Sequence, residues 1–269
     1  MPAEQRVLIT RPEGQAQPLI DGLQAMGLEG LHLPMLRLLP ILPLPAAAKQ
    51  RVLDLERYQH LIFISANAVR FGLAVIDDYW PQYPLGQRVW AVGGSTAAAL
   101  HGAGLQAVTP RENLSSEGLL ALPGLRDVAG ERVLIIKGEG GRDLLQRELA
   151  ARGAEVHTLC CYRREAPALD GAACLAMLKE SPVQLVLISS GEGLAQLSRL
   201  LQPRENTNLA DVAVIVPSQR VLEEGAALGW RDLRLASNAS DAAMLQAVSA
   251  WQRERGNRLP GGKGCIERR

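Results

Sequence analysis

The feature that most constrains this fold is an internal duplication. Val7 to Gly14, reading VLITRPEG, together with the amphipathic stretch after it and Gly27, recurs as Val133 to Gly140, VLIIKGEG, with its own stretch and Gly153, at an offset of 126 residues. Leu61 to Ser65, LIFIS, recurs as Leu185 to Ser189, LVLIS, at an offset of 124. Val89 to Gly104 then matches Val212 to Gly229, each a strand-like run, a small polar turn and an Ala-rich stretch ending in glycine. Self-similarity on this scale speaks to architecture before chemistry, and here it predicts two similar domains.

Within each copy, short β-branched or aliphatic runs alternate with amphipathic stretches, the pattern of βα units that build parallel sheets, so the fold class is α/β. Strands are predicted over Val7 to Thr10, Leu28 to Leu33, Leu61 to Ile64, Arg88 to Val92, Val133 to Ile136, Glu155 to Leu159, Leu185 to Ile188 and Val212 to Val216. Gln17 to Met26 reads as a helix, with Leu19, Ile20, Leu23 and Met26 on one face and Gly27 where a C-cap belongs. Pro34 to Pro45 is too rich in proline for a helix and reads as an extended crossover, and Arg163 to Leu169, around Pro167, as a second. If both cross between domains, residues 1–35 plus 172–252 form one discontinuous α/β domain and 36–171 an inserted second one, with a cleft between them. The Gly- and Arg-rich residues 253–269 read as a disordered tail.

Composition removes several function classes. With 29 basic and 28 acidic residues the formal net charge is +1, so no global field recruits nucleic acid or an anionic membrane. Phe, Trp and Tyr make up 4% of the chain, which leaves few stacking platforms for single strands, and no nucleic-acid partner is expected. Cys160, Cys161, Cys174 and Cys265 show no paired spacing and read as reduced thiols. Residues 1–6 are polar and no apolar run is long enough to cross a bilayer, so a cytoplasmic protein without membrane association is expected. His32, His60, His101 and His157 lack ligand spacing, and no metal site is expected.

In parallel α/β sheets, ligands bind beyond the carboxyl ends of the strands, where helix N-termini present unpaired amides. The polar turns fall there: Thr10-Arg11-Pro12, Ser65-Ala66-Asn67, Gly93 to Thr96, Gly138 to Arg142, Ser189-Ser190-Gly191 and Pro217 to Arg220. The same residue types also cap helices, so any one turn has an ordinary structural reading; six together favour an anion site. No phosphate-loop spacing, Gly-x-Gly-x-x-Gly or Gly-x-Ser-x-Gly is present, so neither a nucleotide cofactor nor a nucleophilic triad is indicated. Tyr162, expected just after a strand and flanked by Arg163 and Arg164, stands out, with a buried hinge tyrosine as its structural alternative.

Taken in order, Leu8 to Pro12, Phe63 to Val69, Ala91 to Ala97, Ser116 to Leu119, Lys137 to Arg142, the Tyr162 segment, Ser189-Ser190, Ser218 and Asp241 to Leu245 resemble the uroporphyrinogen-III synthase family over roughly residues 5–250. The resemblance implies two flavodoxin-like domains joined by a two-strand linker, and hydroxymethylbilane as substrate, closed to uroporphyrinogen III with inversion of ring D and loss of water in heme biosynthesis. It implies no cofactor and a monomer. Loss of the terminal hydroxyl gives an azafulvene, which ring D attacks through its substituted carbon to form a spiro intermediate that fragments and recloses. Geometry carries most of that chemistry, and one proton donor would help the hydroxyl leave. Carried over residue by residue, Tyr162 matches the proposed donor, and a phenol keeps its proton at neutral pH. Ser65, Thr96, Ser190 and Ser218 match positions holding acetate and propionate groups, with Thr10, Gly93 and Gly138 in the same turns. Arg11, Lys137 and Arg142 add charge, Lys137 standing where many members have arginine. Two α/β domains around a cleft also describe a ligand-binding or sensor module without catalysis, and a flavin-bearing electron carrier is a further alternative that scarce aromatics disfavour.

Overall fold

The computed structural model describes residues 5–83, 86–180, 182–202 and 212–258. It contains strands β1 (Arg6–Ile9), β2 (Glu29–His32), β3 (Arg37–Pro40), β4 (His60–Phe63), β5 (Arg88–Ala91), β6 (Arg132–Gly138), β7 (Glu155–Glu165), β8 (Val183–Leu187), β9 (Ala213–Val216) and β10 (Leu233–Leu235). The chain divides into two compact units, Met1–Arg37 with Glu165–Arg269, and Leu38–Arg164. The first division lies two residues after the expected 35/36 and the second seven residues before the expected 171/172. Strand β7 runs well beyond Leu159, where it was expected to end, so Tyr162 lies inside a strand rather than after one.

The first unit holds a sheet in the order β2-β1-β8-β9-β10, every neighbouring pair parallel. This is the 2-1-3-4-5 arrangement of flavodoxin-like folds. Alternate residues feed opposite faces. Val7, Ile9, Leu185, Leu187 and Ile215 pack with Leu19 and Leu23 of helix Gln17–Ala25 and with Met244, Val248 and Trp251 of helix Asp241–Arg258. Leu8, Val186, Ile188, Val214 and Val216 pack on the other face with Leu194 and Leu197 of helix Gly191–Leu201, Val221 of helix Gln219–Leu228, and Trp230. Both faces are covered, which is why these strands read as unbroken apolar runs.

The second unit has the order β3-β7-β6-β4-β5, with β4 to β7 in parallel register. The three sequence repeats equate β1 with β6, β8 with β4 and β9 with β5. Substituting them into the first sheet turns β2-β1-β8-β9 into β7-β6-β4-β5, the observed order. Val108, in an isolated parallel bridge to Trp90 of β5, stands where β10 stands in the first unit. The units are therefore one fold entered at two points of its cycle, with β3 an added edge. The equivalent glycines Gly27 and Gly153 have φ of +74° and +85°, left-handed conformations that close their helices and that side chains resist. Here one face packs Leu61, Phe63, Ala91, Leu134 and Ile136 with Tyr162, and the other packs Ile62, Trp90, Val133 and Ile135 with Leu145 and Leu149.

Strands β3, inside the proline-rich crossover, and β10 were not expected from the sequence. Helix Asp241–Arg258 also extends into the stretch read as tail. Residues 259–269, with Cys265, lie outside the described residues. Among the described residues no helix is long and apolar enough to cross a membrane.

Candidate functional site

Topology fixes where each sheet opens. In the first unit the chain leaves β1 toward β2 and β8 toward β9, so the strand ends diverge between β1 and β8. The equivalent point in the second unit lies between β6 and β4. Such switch points are where α/β folds bind ligands, and most sequence-selected residues stand at or beside them.

In the second unit, Ser65 follows β4 as the N-cap of helix Ala66–Asp77, its Oγ accepting from the Ala68 amide at 3.0 Å. The same Oγ lies 3.4 Å from the Tyr162 hydroxyl. Tyr162 reaches this place through a bulge: Lys137 pairs with Cys160 but Gly138 pairs with Tyr162, leaving Cys161 extra. Without it, alternation would turn Tyr162 to the face of Cys160; with it, Cys161 and Tyr162 share one face. The Tyr162 ring stacks on Phe71 with centroids 5.0 Å apart and lies close over Gly138, where a built Cβ would come 2.6 Å from Cζ. No periodicity argument places such a bulge, and Phe71 carried no sequence signal beyond its place on the apolar side of a helix.

Gly93 follows β5 as the N-cap of helix Gly94–Gly102, in which Thr96 is buried. Lys137, at the end of β6, is buried on the face opposite Tyr162 and lines a recess with Arg142, Ser115, Ser116 and Thr158. Arg142 is exposed and pairs with Glu117 at 3.0 Å. Glu117 is held below the usual carboxylate range by its own backbone hydrogen bond, then by Ser115, with Arg142 adding to both.

In the first unit, Thr10 donates its hydroxyl to the Leu187 carbonyl at 2.8 Å, joining β1 to β8. Arg11, read from the sequence as charge for the substrate, has several partners within its own unit. Its Nε donates to Ser189 Oγ at 3.2 Å, Nη2 to the Ala239 carbonyl at 2.6 Å, and Nη1 to Asp241. Ser190 and Ser218 cap the helices after β8 and β9, with φ/ψ of −158°/155° and −159°/158° against −161°/162° at Ser65. Ser65 and Ser190 thus hold equivalent positions in the duplicated fold, and Ser218 stands where Gly93 does. Each cap uses a lone pair, and the hydroxyl hydrogen remains able to donate to an anion, so capping and ligand binding are compatible. Burial pushes the Cys161 thiol up to about 12 and also raises Cys160, which disfavours either as a nucleophile.

A family model described as uroporphyrinogen-III synthase HemD matches residues 16–246. The uroporphyrinogen-III synthase of Escherichia coli (strain K12) is 36% identical over 248 residues, spanning 90% of this chain and 99% of its own length. The chain belongs to the uroporphyrinogen-III synthase family. That of Salmonella typhimurium is 35% identical, with the same coverage of 90% and 99%. Membership favours the enzyme over the binding module weighed from the sequence. Among solved structures, a mutant uroporphyrinogen III synthase from the extremely thermophilic bacterium Thermus thermophilus matches with a TM-score of 0.60 at 17% identity, over 93% of this chain and 99% of that one. A uroporphyrinogen-III synthetase from Helicobacter pylori matches at 0.58 and 12% identity, over 92% and 99%. These two likenesses concern the fold.

Proposed function

We propose that this chain cyclises hydroxymethylbilane to uroporphyrinogen III, inverting ring D and releasing water, as a hydro-lyase of heme biosynthesis. The observation that carries the reading is 36% identity to a synthase along almost the whole of both chains. The substrate's acetate and propionate groups suit the strand-end turns of both units, where Ser65, Thr96, Ser190 and Ser218 stand beside helix amides, with Thr10, Gly93 and Gly138 shaping the turns. Lys137 and Arg142 supply charge, and Arg11 supports the turn after β1 through Ser189 and Asp241.

Tyr162 is the proton donor to the departing hydroxyl in this proposal. Two features support it: a hydroxyl neighbour in Ser65, and a ring whose position is set by Phe71 and Gly138. Departure of water leaves the electrophilic azafulvene, and the protein's remaining task is to hold ring D so that its substituted carbon attacks. The enzyme is proposed to act as a cytoplasmic monomer without nucleic-acid or membrane partners.

The test is a coupled assay that generates hydroxymethylbilane in situ and resolves the oxidised uroporphyrin isomers by chromatography. Isomer III is expected with this protein and isomer I without it. Isomer I alone, from protein shown to be folded, would refute the reading.

A further inference from the structure

The recess beside Lys137 lies wholly within the second unit, on the face of its sheet opposite Tyr162, and has a volume of about 270 Å³. Its apolar lining comes from Ile64, Val92, Ile135 and Leu145. Lys137 lines it and is only 8% exposed. The partner given to this ammonium is Asp143, 3.9 Å away and 67% exposed on its side chain, beyond hydrogen-bond distance. A buried ammonium so weakly paired costs desolvation that nothing in the sheet repays. An apolar or neutral residue would serve packing better, as Ile135 does two positions earlier on the same face. Ser116 and Thr158 line the same space, as does Ser115, whose Oγ accepts from the Gly118 amide at 3.2 Å and whose hydrogen is engaged by the Glu117 carboxylate.

We propose that this recess takes one carboxylate arm of the tetrapyrrole, with the Lys137 ammonium as its counter-ion and Asp143 as the weak competitor that the arm displaces. The inference rests on the synthase reading and deepens it. Lys137 then acts through binding, on the opposite side of the sheet from the phenol that serves the departing hydroxyl. A point charge among rotatable hydroxyls suits a carboxylate, and apolar walls suit the methylenes that carry it.

The experiment compares wild type, Lys137→Met and Asp143→Asn for kcat and KM with hydroxymethylbilane. Calorimetric binding of uroporphyrinogen III under anaerobic reducing conditions, and Tm, complete the comparison. Lys137→Met should raise KM and the Kd for uroporphyrinogen III roughly 10- to 100-fold, the range for losing a charge-assisted contact, with kcat within about threefold. Its Tm should hold or rise, because a poorly paired buried charge has been removed. Asp143→Asn, at an exposed position that does not threaten folding, should lower KM severalfold. Unchanged KM and Kd in Lys137→Met, a loss confined to kcat or to Tm, or a raised KM in Asp143→Asn would each overturn the proposal. Wild-type formation of isomer III is scored first. If it fails while wild type binds uroporphyrinogen III and Lys137→Met does not, the synthase reading falls and the recess stands.

Discussion

Gly138→Ala tests the placement of Tyr162 without touching its chemistry. The added methyl would stand 2.6, 2.7 and 3.0 Å from Cζ, Cε2 and Cε1 of the Tyr162 ring. Ordinary carbon contacts lie near 3.5–4.0 Å, so the end of the ring that carries the hydroxyl must move by about 1 Å. Tyr162 is fully buried and stacked on Phe71, so the ring cannot swing away without moving a second aromatic. Overpacking of this kind costs about 1–3 kcal/mol, or on the order of 3–10 °C in Tm. A 1 Å misplacement of a reacting group costs up to ~100-fold in rate, comparable to the 10- to 100-fold loss of kcat expected for Tyr162→Phe. The decisive assay is a double-mutant cycle scored by kcat and Tm, because a Phe ring meets the same methyl but has no hydroxyl to misplace. Gly138→Ala should lower Tm equally in both backgrounds and lower kcat only when Tyr162 is present. Rate losses that multiply, or a fall in Tm with kcat unchanged, would refute the argument that phenol position limits turnover.

Other perturbations separate support from substrate contact. Ser190→Asp keeps a good cap, so Tm should hold within about 2 °C while KM rises at least ~10-fold from a carboxylate facing carboxylates; unchanged KM would leave Ser190 a cap alone. Arg11→Met and Asp241→Asn break one partly buried ion pair, so each should cost about 1–3 kcal/mol, the double variant little more, with KM within twofold; a KM effect without a Tm effect would return Arg11 to the substrate. His157 is pushed below its ordinary value of 6.5, first by burial, with Arg51 and Arg132 adding and Glu155 opposing. The folded state then binds this proton less readily than the unfolded chain, so its contribution favours unfolding as pH drops through 6.5 and below, and is absent above. His157→Gln should lessen the Tm difference between pH 7.5 and pH 5, and an unchanged difference would exclude it.

Much of the fold was legible because its determinants are local and repeated. Val7 to Ile9 and Val133 to Ile136 are apolar on both faces, so their runs are visible without knowledge of partners, and Gly27 and Gly153 mark the same left-handed helix ends. The elements that escaped depend on neighbours. Arg37–Pro40, reading RLLP with both end residues exposed, becomes a strand beside β7, and Leu233–Leu235 is too short to carry a period. Beyond Leu159, β7 contains Tyr162-Arg163-Arg164, residues that read equally well as a turn, and pairing with β6 as far as Gly138 and with β3 on the other side extends it.

The site was legible to the extent that duplication marks it. The repeat pairs Ser65 with Ser189, and the structure moves the cap one residue on to Ser190, which adopts nearly the same backbone angles as Ser65, so a turn selected in one unit predicts its twin to within a residue. Role was harder to read than place, because it depends on what the rest of the chain leaves unpaired. Arg11 and Lys137 sit at equivalent strand ends, matched at the offset of 126, and from sequence both are cations beside a ligand site. The fold surrounds Arg11 with a carboxylate, a hydroxyl and a carbonyl, while Lys137 meets one distant, exposed carboxylate. A guanidinium so engaged has few donors left for an anion, whereas an ammonium whose one carboxylate is distant and exposed is the better placed of the two to take one. The same logic assigns the duplicated halves unequal parts. The second unit carries the bulge that aims Tyr162 and the underpaired lysine, whereas at the equivalent opening of the first, Thr10, Arg11 and Ser189 spend their hydrogen bonds on one another's strands.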